Sequence, residues 1–237
     1  MRLIKKYFLS PILNWLRYHK PGLAFIWEYS PKEHDRNEML RKVMNYCAEA
    51  RLGGDYLEFG VFKGGQFSAA MKWAAKNKKL DNMHFYAFDS FKGLPEIKGK
   101  DVEFKQFDQG EYTASLDVFK KTLRSAGLTE EKVKIVPGWF NETLNDKIKK
   151  SLPLKMASIV WIDCDLYEST VPVLDFIKDY IVDGTLLVFD DWYLFRGNPR
   201  RGEQLAFSEW LKKNPQFSAS EFHKYSWHGN SFIIHKN

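Results

Sequence analysis

Short apolar runs that end in a carboxylate or a glycine alternate, along most of this chain, with longer segments of helical periodicity. In order they read "DYLEFG", then "GGQFSAAMKWAAKN", "HFYAFDS", "ASLDVFKKTLRSAG", "VKIVPG", "SIVWID", "VPVLDFIKDYI", "GTLLVFD" and "GEQLAFSEWLKKNP". A helical stretch around "RNEMLRKVMNYCAEA" precedes them. Strands that alternate with helices at this spacing predict an α/β fold, a mainly parallel sheet with helices on both faces. Two closing runs, "FHKYS" and "SFIIHK", have no helix between them and predict a hairpin with one antiparallel edge strand. Gly127 is placed to end the helix that carries Leu116, Phe119 and Leu123 on one face.

With 237 residues, 44% of them hydrophobic, the chain can bury a sizeable single core, and no fixed-period repeat interrupts it. Two cysteines, Cys47 and Cys164, make neither a disulfide framework nor a zinc knot, which points to a reducing, cytoplasmic setting. No run of eighteen apolar residues suits a membrane span. The net charge of +6 raises nucleic acid and anionic membrane as partners, but after residue 30 basic and acidic residues are mixed. Only "MRLIKKYFLSPILNWLRYHK" is basic without acid. Pro11 and Asn14 interrupt its apolar part and no small-residue cleavage site follows, so it reads as an arm rather than a secretory signal. Residues 1–45 are therefore predicted as a helical arm or lid and 46–237 as the main domain. The arm packs on the domain or on a sister subunit, favouring a dimer. Alternatively, Ile4, Phe8, Ile12 and Trp15 at helical spacing rest it on the inner face of a membrane.

Four strands predict a carboxylate at or near their carboxyl ends: Glu58, Asp89, Asp163 and Asp190. Ligands of open α/β sheets bind beyond those ends. The first turn, "LEFGVFKGG", lacks the G-x-G dinucleotide fingerprint, which argues against an NAD-dependent oxidoreductase. Glu58 there would repel a pyrophosphate and favour a cation, while Asp89 suits ribose hydroxyls. A cationic nucleoside without phosphate, S-adenosylmethionine, meets both demands. Asp163, Asp190 and Asp191 lie too close together to stay ionised unaided if their strands are neighbours. An oxygen-loving divalent cation, Mg²⁺ or Mn²⁺, satisfies them. Asp165 is then a candidate base for an acceptor hydroxyl, and the competing role of Asp165 or Asp191 is to cap the next helix or turn. Of the histidines that might serve as bases, His223 and His228 read as ordinary packed or solvent-facing residues, and His34, in the linker "SPKEHDRN", is placed to join a lid over the substrate. Trp27, Trp139 and Trp192 are candidates to stack on a sugar, with core packing as the plainer role. Arg196, Arg200 and Arg201 form a basic cluster that solvation explains as well as an anionic acceptor does.

Read together, "YLEFGVFKGGQF", "YAFDSFKGLPE", "GWFNETL", "IDCDLYEST" and "LLVFDDW" resemble, in order, the macrocin O-methyltransferase-like family of Mg²⁺-dependent, class I S-adenosylmethionine enzymes, which includes sugar methyltransferases. The resemblance runs from about residue 54 to about residue 214 and implies a Rossmann-like sheet of seven strands with the last reversed. It implies that Glu58 and Gly60 line the donor's methionine end, that Asp89 holds the ribose with Ser90 adjoining, and that Gly138 and Trp139 lie near the donor. By the same resemblance Asp163, Asp190 and Asp191 are metal ligands and Asp165 is the base. The implied reaction is O-methylation of a sugar or glycosylated small molecule, or of another glycan. Cys164 departs from the family's usual glycine, and "WYLFRGNPRRGEQLAF" departs from the usual continuation, which leaves the acceptor open. A non-sugar acceptor and a binding protein without turnover are the alternatives; nucleic acid is disfavoured.

Overall fold

The computed structural model describes residues 31–103, 106–129 and 131–237. Most of the predicted arm, with Trp27, Ile4, Phe8, Ile12 and Trp15, lies outside them. Helix α1 (Pro31–Glu49) leads into β1 (Asp55–Phe59), α2 (Gly65–Ala74), β2 (Phe85–Asp89), α3 (Leu116–Ser125) and β3 (Val133–Pro137). Two short helices, α4 (Phe140–Thr143) and α5 (Asp146–Ser151), precede β4 (Ala157–Ile162), α6 (Tyr167–Ile177), β5 (Ile181–Phe189) and α7 (Gly202–Lys213). Strands β6 (Phe217–Glu221) and β7 (Asn230–Lys236) close the chain.

The seven strands form one sheet in the order β3-β2-β1-β4-β5-β7-β6. The first five are parallel. β7, antiparallel to both its neighbours, lies between β5 and the edge strand β6. Chain order reverses between β1 and β4, the switch point at which a crevice opens in such sheets. All six residues of β4 are buried, as a central strand covered on both faces requires.

One face of the sheet packs Tyr56, Trp161 and Val188 against α1, α2 and α3. The other packs Phe59, Val160 and Phe189 against α6 and α7. Helix α1 runs without a break through residue 45, the predicted boundary, and its Met39, Leu40, Val43 and Met44 are buried in the main core. The Ser115 hydroxyl accepts the Val118 N–H to start α3, and Gly127 follows its end at φ 71°.

The sixth strand is not where alternation predicts it. "FHKYS" lies beyond β6, whose pairing ends at Glu221 opposite Phe232. Its aromatic residues serve other contacts: Phe222 packs on Tyr46 of α1, and Tyr225 turns inward to reach the end of β5. Helix α6 also begins and ends earlier than "VPVLDFIKDYI", because Ile181 already belongs to β5.

Candidate functional site

The strand register sets four residues in one row. Phe88, Phe59, Ile162 and Phe189 are successive partners across β2, β1, β4 and β5. The next position on each strand is Asp89, Gly60, Asp163 and Asp190. The ladder bonds continue to this row, from the N–H of Gly60 to Phe88, of Asp163 to Phe59 and of Asp190 to Ile162, each 2.9 Å. Gly60 has φ 89°, and a Cβ there would lie 2.0 Å from the Asp163 carbonyl oxygen, so the close approach of β1 to β4 demands glycine.

Beyond this row opens a cavity of about 1280 Å³, lined among others by Glu58, Gly60, Asp89, Ser90, Trp139, Asp163, Asp165 and Asp191. Pockets for single drug-sized ligands run to roughly 300–1,000 Å³, so this one has room for two reactants.

On its β1–β2 side, Glu58 is 1% exposed, and Tyr56 donates its hydroxyl to Glu58 Oε2 at 2.5 Å. Burial pushes the Glu58 carboxyl up to about 8, against the pull of that hydroxyl and of Arg36. Asp89 Oδ2 accepts the N–H groups of Val61 and Phe62, and Oδ1 accepts that of Phe91. Most of its acceptor capacity therefore shapes the β1–α2 loop, although it faces the cavity. Ser90 donates to the Gly93 carbonyl, and so does the Trp139 indole. Gly138 is a packing glycine: at φ 130° it would place a Cβ 2.3 Å from Thr143 Cγ2. Gly64 is pressed against Phe119, whereas a Cβ on the cavity-lining Gly65 would meet nothing within 4 Å. An ionisable carboxyl in a dry wall, an open glycine and a nearby aromatic ring fit a cationic nucleoside.

On the β4–β5 side the chain concentrates acid. Asp190 and Asp191 are buried, and Glu203 at the start of α7 is buried with them. Asp191 Oδ2 accepts the Asp165 N–H at 3.0 Å, and Glu203 Oε2 accepts the Asp191 N–H at 3.0 Å. Asp165 is in the left-handed region at φ 57°, which turns it off the line of β4. It does not cap α6: Asp101, 66 residues earlier in the chain, takes the Tyr167 and Glu168 N–H groups at 3.0 Å each. Burial, with repulsion from Asp165 and Asp163, lifts the Asp191 carboxyl well above the usual range. Burial and then Asp190 do the same to Glu203.

Arg36 of α1 meets this cluster from the helix-covered face. Its Nη2 lies 2.6 Å from Asp163 Oδ2, its Nε lies 3.3 Å from Asp190 Oδ1, and its guanidinium sits over Trp161. Tyr225 donates to Asp190 Oδ1 at 2.9 Å. Arg36 pairs with Asp163 and Asp190 only, and the mutual repulsion that lifts Asp191 and Glu203 marks more carboxyl groups here than one guanidinium can neutralise. That donor set fits a hard divalent cation. The structure gathers Asp190 and Asp191 with His228, a ligand atom from each lying within 4.8 Å of the others, and directs Asp163 Oδ2 to Arg36.

Residues 28–205 match the family model described as macrocin-O-methyltransferase (TylF). This chain belongs to the TylF family. Among similar proteins, an 8-demethyl-8-(2,3-dimethoxy-alpha-L-rhamnosyl)-tetracenomycin-C 4'-O-methyltransferase of Streptomyces olivaceus is 28% identical over 158 residues, 63% of this chain and 58% of that one. A mycinamicin III 3''-O-methyltransferase of Micromonospora griseorubida is 26% identical over 160 residues, 63% and 61% of the two chains. The TylF-family match thus spans about three-fifths of the length of these relatives. Among solved structures, CalS11, a calicheamicin methyltransferase, superposes with TM-score 0.71 at 18% identity over 97% of this chain and 92% of that one. The O-methyltransferase NovP does so with TM-score 0.70 at 20% identity over 85% and 80%. These neighbours share the class I methyltransferase fold.

Within this TylF-family frame, Cys164 needs no glycine-like freedom, because the positive φ falls on Asp165; Cys164 itself is buried and points its Sγ at the Phe59 carbonyl. Trp192 packs among Phe189, Phe207 and Phe232, so it is a core residue. Arg201 pairs with Glu103, while Arg196 and Arg200 are exposed. The cationic side chains that line the cavity besides Arg36 are Lys63, Lys72 and Lys98. His34 and His223 are solvent-facing; His228 is buried. Sequence reasoning passes over Arg36, Glu203 and Tyr225, and takes His228 for an ordinary packed or solvent-facing histidine. For Arg36 a signal exists: it falls on the same helical stripe as the buried Met39, Leu40, Val43 and Cys47, where a cation needs a reason. Glu203 in a first helical turn looks like ordinary dipole compensation, and nothing local marks Tyr225 or His228.

Proposed function

We propose that this protein is an S-adenosylmethionine-dependent O-methyltransferase that acts, with divalent-metal assistance, on a hydroxyl of a sugar or glycosylated small molecule. The observation that carries the reading is the row of Asp89, Gly60, Asp163 and Asp190 at the switch point of the sheet, opening on a cavity with room for donor and acceptor. The printed names of relatives favour the acceptor class: one modifies a rhamnosyl tetracenomycin and another is a mycinamicin methyltransferase. No described helix is long and apolar enough to cross a membrane.

When bound, the donor supplies an electrophilic methyl group and the cation supplies a Lewis acid that lowers the pKa of the acceptor hydroxyl. Glu58 and Gly60 would hold the donor's methionine end, the carboxylate of Glu58 facing its ammonium. Asp89 and Ser90 would line the ribose, with Gly138 shaping the turn that presents Trp139. Asp190 and Asp191 would hold the cation, with Asp163 beside them. Asp165 would accept the hydroxyl proton on its carboxylate, its backbone tethered by Asp191. Arg36 steadies Asp163 and Asp190 from α1. Phe62, Tyr112 and Trp227, which line the cavity and are 38%, 57% and 68% exposed, supply apolar area at its mouth for an acceptor ring and keep water from the reacting atoms.

Methyl transfer from isotope-labelled S-adenosylmethionine to a panel of rhamnosides, glycosylated macrolides and plain catechols tests the reading. The expected result is metal-dependent labelling of a sugar hydroxyl, with Asp165→Asn lowering kcat by about 10²–10⁴-fold at nearly unchanged donor affinity. Labelling of the catechols alone would move the acceptor outside sugars. Donor binding without labelling of any acceptor would favour a binding protein.

A further inference from the structure

We infer that His228 is a nitrogen ligand of the divalent cation held by Asp190 and Asp191, and that the site therefore prefers a first-row transition cation to Mg²⁺. The inference rests on the metal-assisted reading above and goes beyond its all-oxygen ligand set.

Three features of the imidazole carry it. His228 is 1% exposed, at the turn before β7, and lines the same cavity as Asp191. Its Nδ1 lies against the Asp190 backbone carbonyl, which can only accept, so Nδ1 carries the proton. Nε2 in the neutral ring then holds the lone pair, and that nitrogen is buried with no hydrogen-bond partner. A histidine that donates one ring N–H to a backbone carbonyl and keeps the other nitrogen bare is the arrangement that orients metal-ligating imidazoles. Asp190, Asp191 and His228 each offer one candidate ligand atom, and these atoms lie within 4.8 Å of one another.

The surroundings agree. Asp190 Oδ1 is engaged by Tyr225 and Arg36. A buried nitrogen without a hydrogen-bond partner is destabilising, and coordination would give Nε2 that partner. Imidazole raises the affinity of an oxygen site for Mn²⁺, Fe²⁺ and Co²⁺ much more than for Mg²⁺, which takes oxygen almost exclusively. The tight hairpin that sets the ring there is built for it: Gly229, where a Cβ would fall 2.3 Å from the Tyr225 ring, lets Tyr225 and His228 both turn toward Asp190.

The test compares wild type with His228→Asn, whose amide can keep the bond to the Asp190 carbonyl while removing Nε2. Mn²⁺ and Mg²⁺ binding are measured by calorimetry, and pulsed electron paramagnetic resonance of bound Mn²⁺ reports a directly coordinated nitrogen. Circular dichroism checks that the variant folds, and S-adenosylmethionine affinity is measured on the same samples. The expected result is a wild-type preference for Mn²⁺ over Mg²⁺ of about tenfold or more. A nitrogen coupling should be present in wild type and absent in the variant, with Mn²⁺ affinity lowered about tenfold and Mg²⁺ affinity little changed. Mn²⁺ bound without nitrogen coupling, or bound equally well by the variant, would overturn the assignment. Absence of Mn²⁺ binding with intact donor binding would overturn it and the metal reading, and leave the donor reading standing. Loss of both would remove the proposed function itself.

Discussion

Glu58 is where burial and charge compete most openly. Its carboxyl, raised to about 8 by burial, holds a proton in the folded, donor-free protein at pH 7 that the unfolded chain has given up. The sign follows: the contribution of Glu58 to stability is complete below its unfolded pKa and is lost as pH rises through about 8. Glu58→Gln should therefore flatten the stability–pH curve between about pH 5 and 8 in urea titrations, and an unchanged slope would contradict the burial argument. A bound ammonium favours the ionised carboxyl, so donor binding at pH 7 should release a proton. Calorimetry in buffers of different ionisation heats would detect that release in wild type and its loss in Glu58→Gln. Arg36 presents the opposite case, a cation whose removal strands acid. Arg36→Met leaves Asp190, with a side chain 1% exposed, without its guanidinium, and should cost about 2–3 kcal/mol in metal-free protein. Thermal melting should fall by on the order of 5 °C and recover in part when Mn²⁺ or Mg²⁺ is added. An unchanged melting temperature would mean that the pair contributes little.

Elements place these residues by contacts that cross long stretches of sequence. Helix α6 starts on Asp101, whose two carboxylate oxygens take its first N–H groups, and Asp165 stands just ahead of that start. Asp101→Ala should lower stability by about 1–2 kcal/mol in denaturant unfolding, and a loss below about 0.5 would show that the cap is dispensable. The alternation of strands and helices, the parallel order of the first five strands and the strand-end acids were legible in the sequence, because each is written in local periodicity. Asp89, Asp163 and Asp190 share a row because each ends an apolar strand, and sheet register aligns those ends. Strand β6 was not legible: "FSASE" has little apolar alternation, while "FHKYS" offers aromatics that fold structure spends on α1 and Asp190. The cap from Asp101, the ion pairs of Arg36 and the turn carrying His228 were hidden for a related reason. Each joins residues separated by 38 to 154 positions or so, and no local pattern encodes such a meeting.

At the scale of the whole molecule, the reversal of strand order between β1 and β4 opens one end of the sheet, and α1, α2 and the loop before β7 wall the opening. Gly60 is the joint of that arrangement. Gly60→Ala would drive a Cβ into the Asp163 carbonyl in a backbone region that L side chains avoid, and should abolish donor binding even where some folded protein survives. If Gly60→Ala binds donor like wild type, the close approach of β1 and β4 does not define the site. Calorimetric titration of S-adenosylmethionine into the wild-type protein is the decisive experiment. One site per chain is expected, with a Kd in the range of about 1 µM to 1 mM, weakened at least about tenfold by Glu58→Gln. A folded wild-type protein that shows no binding at about 1 mM donor, with or without divalent cation, would contradict it.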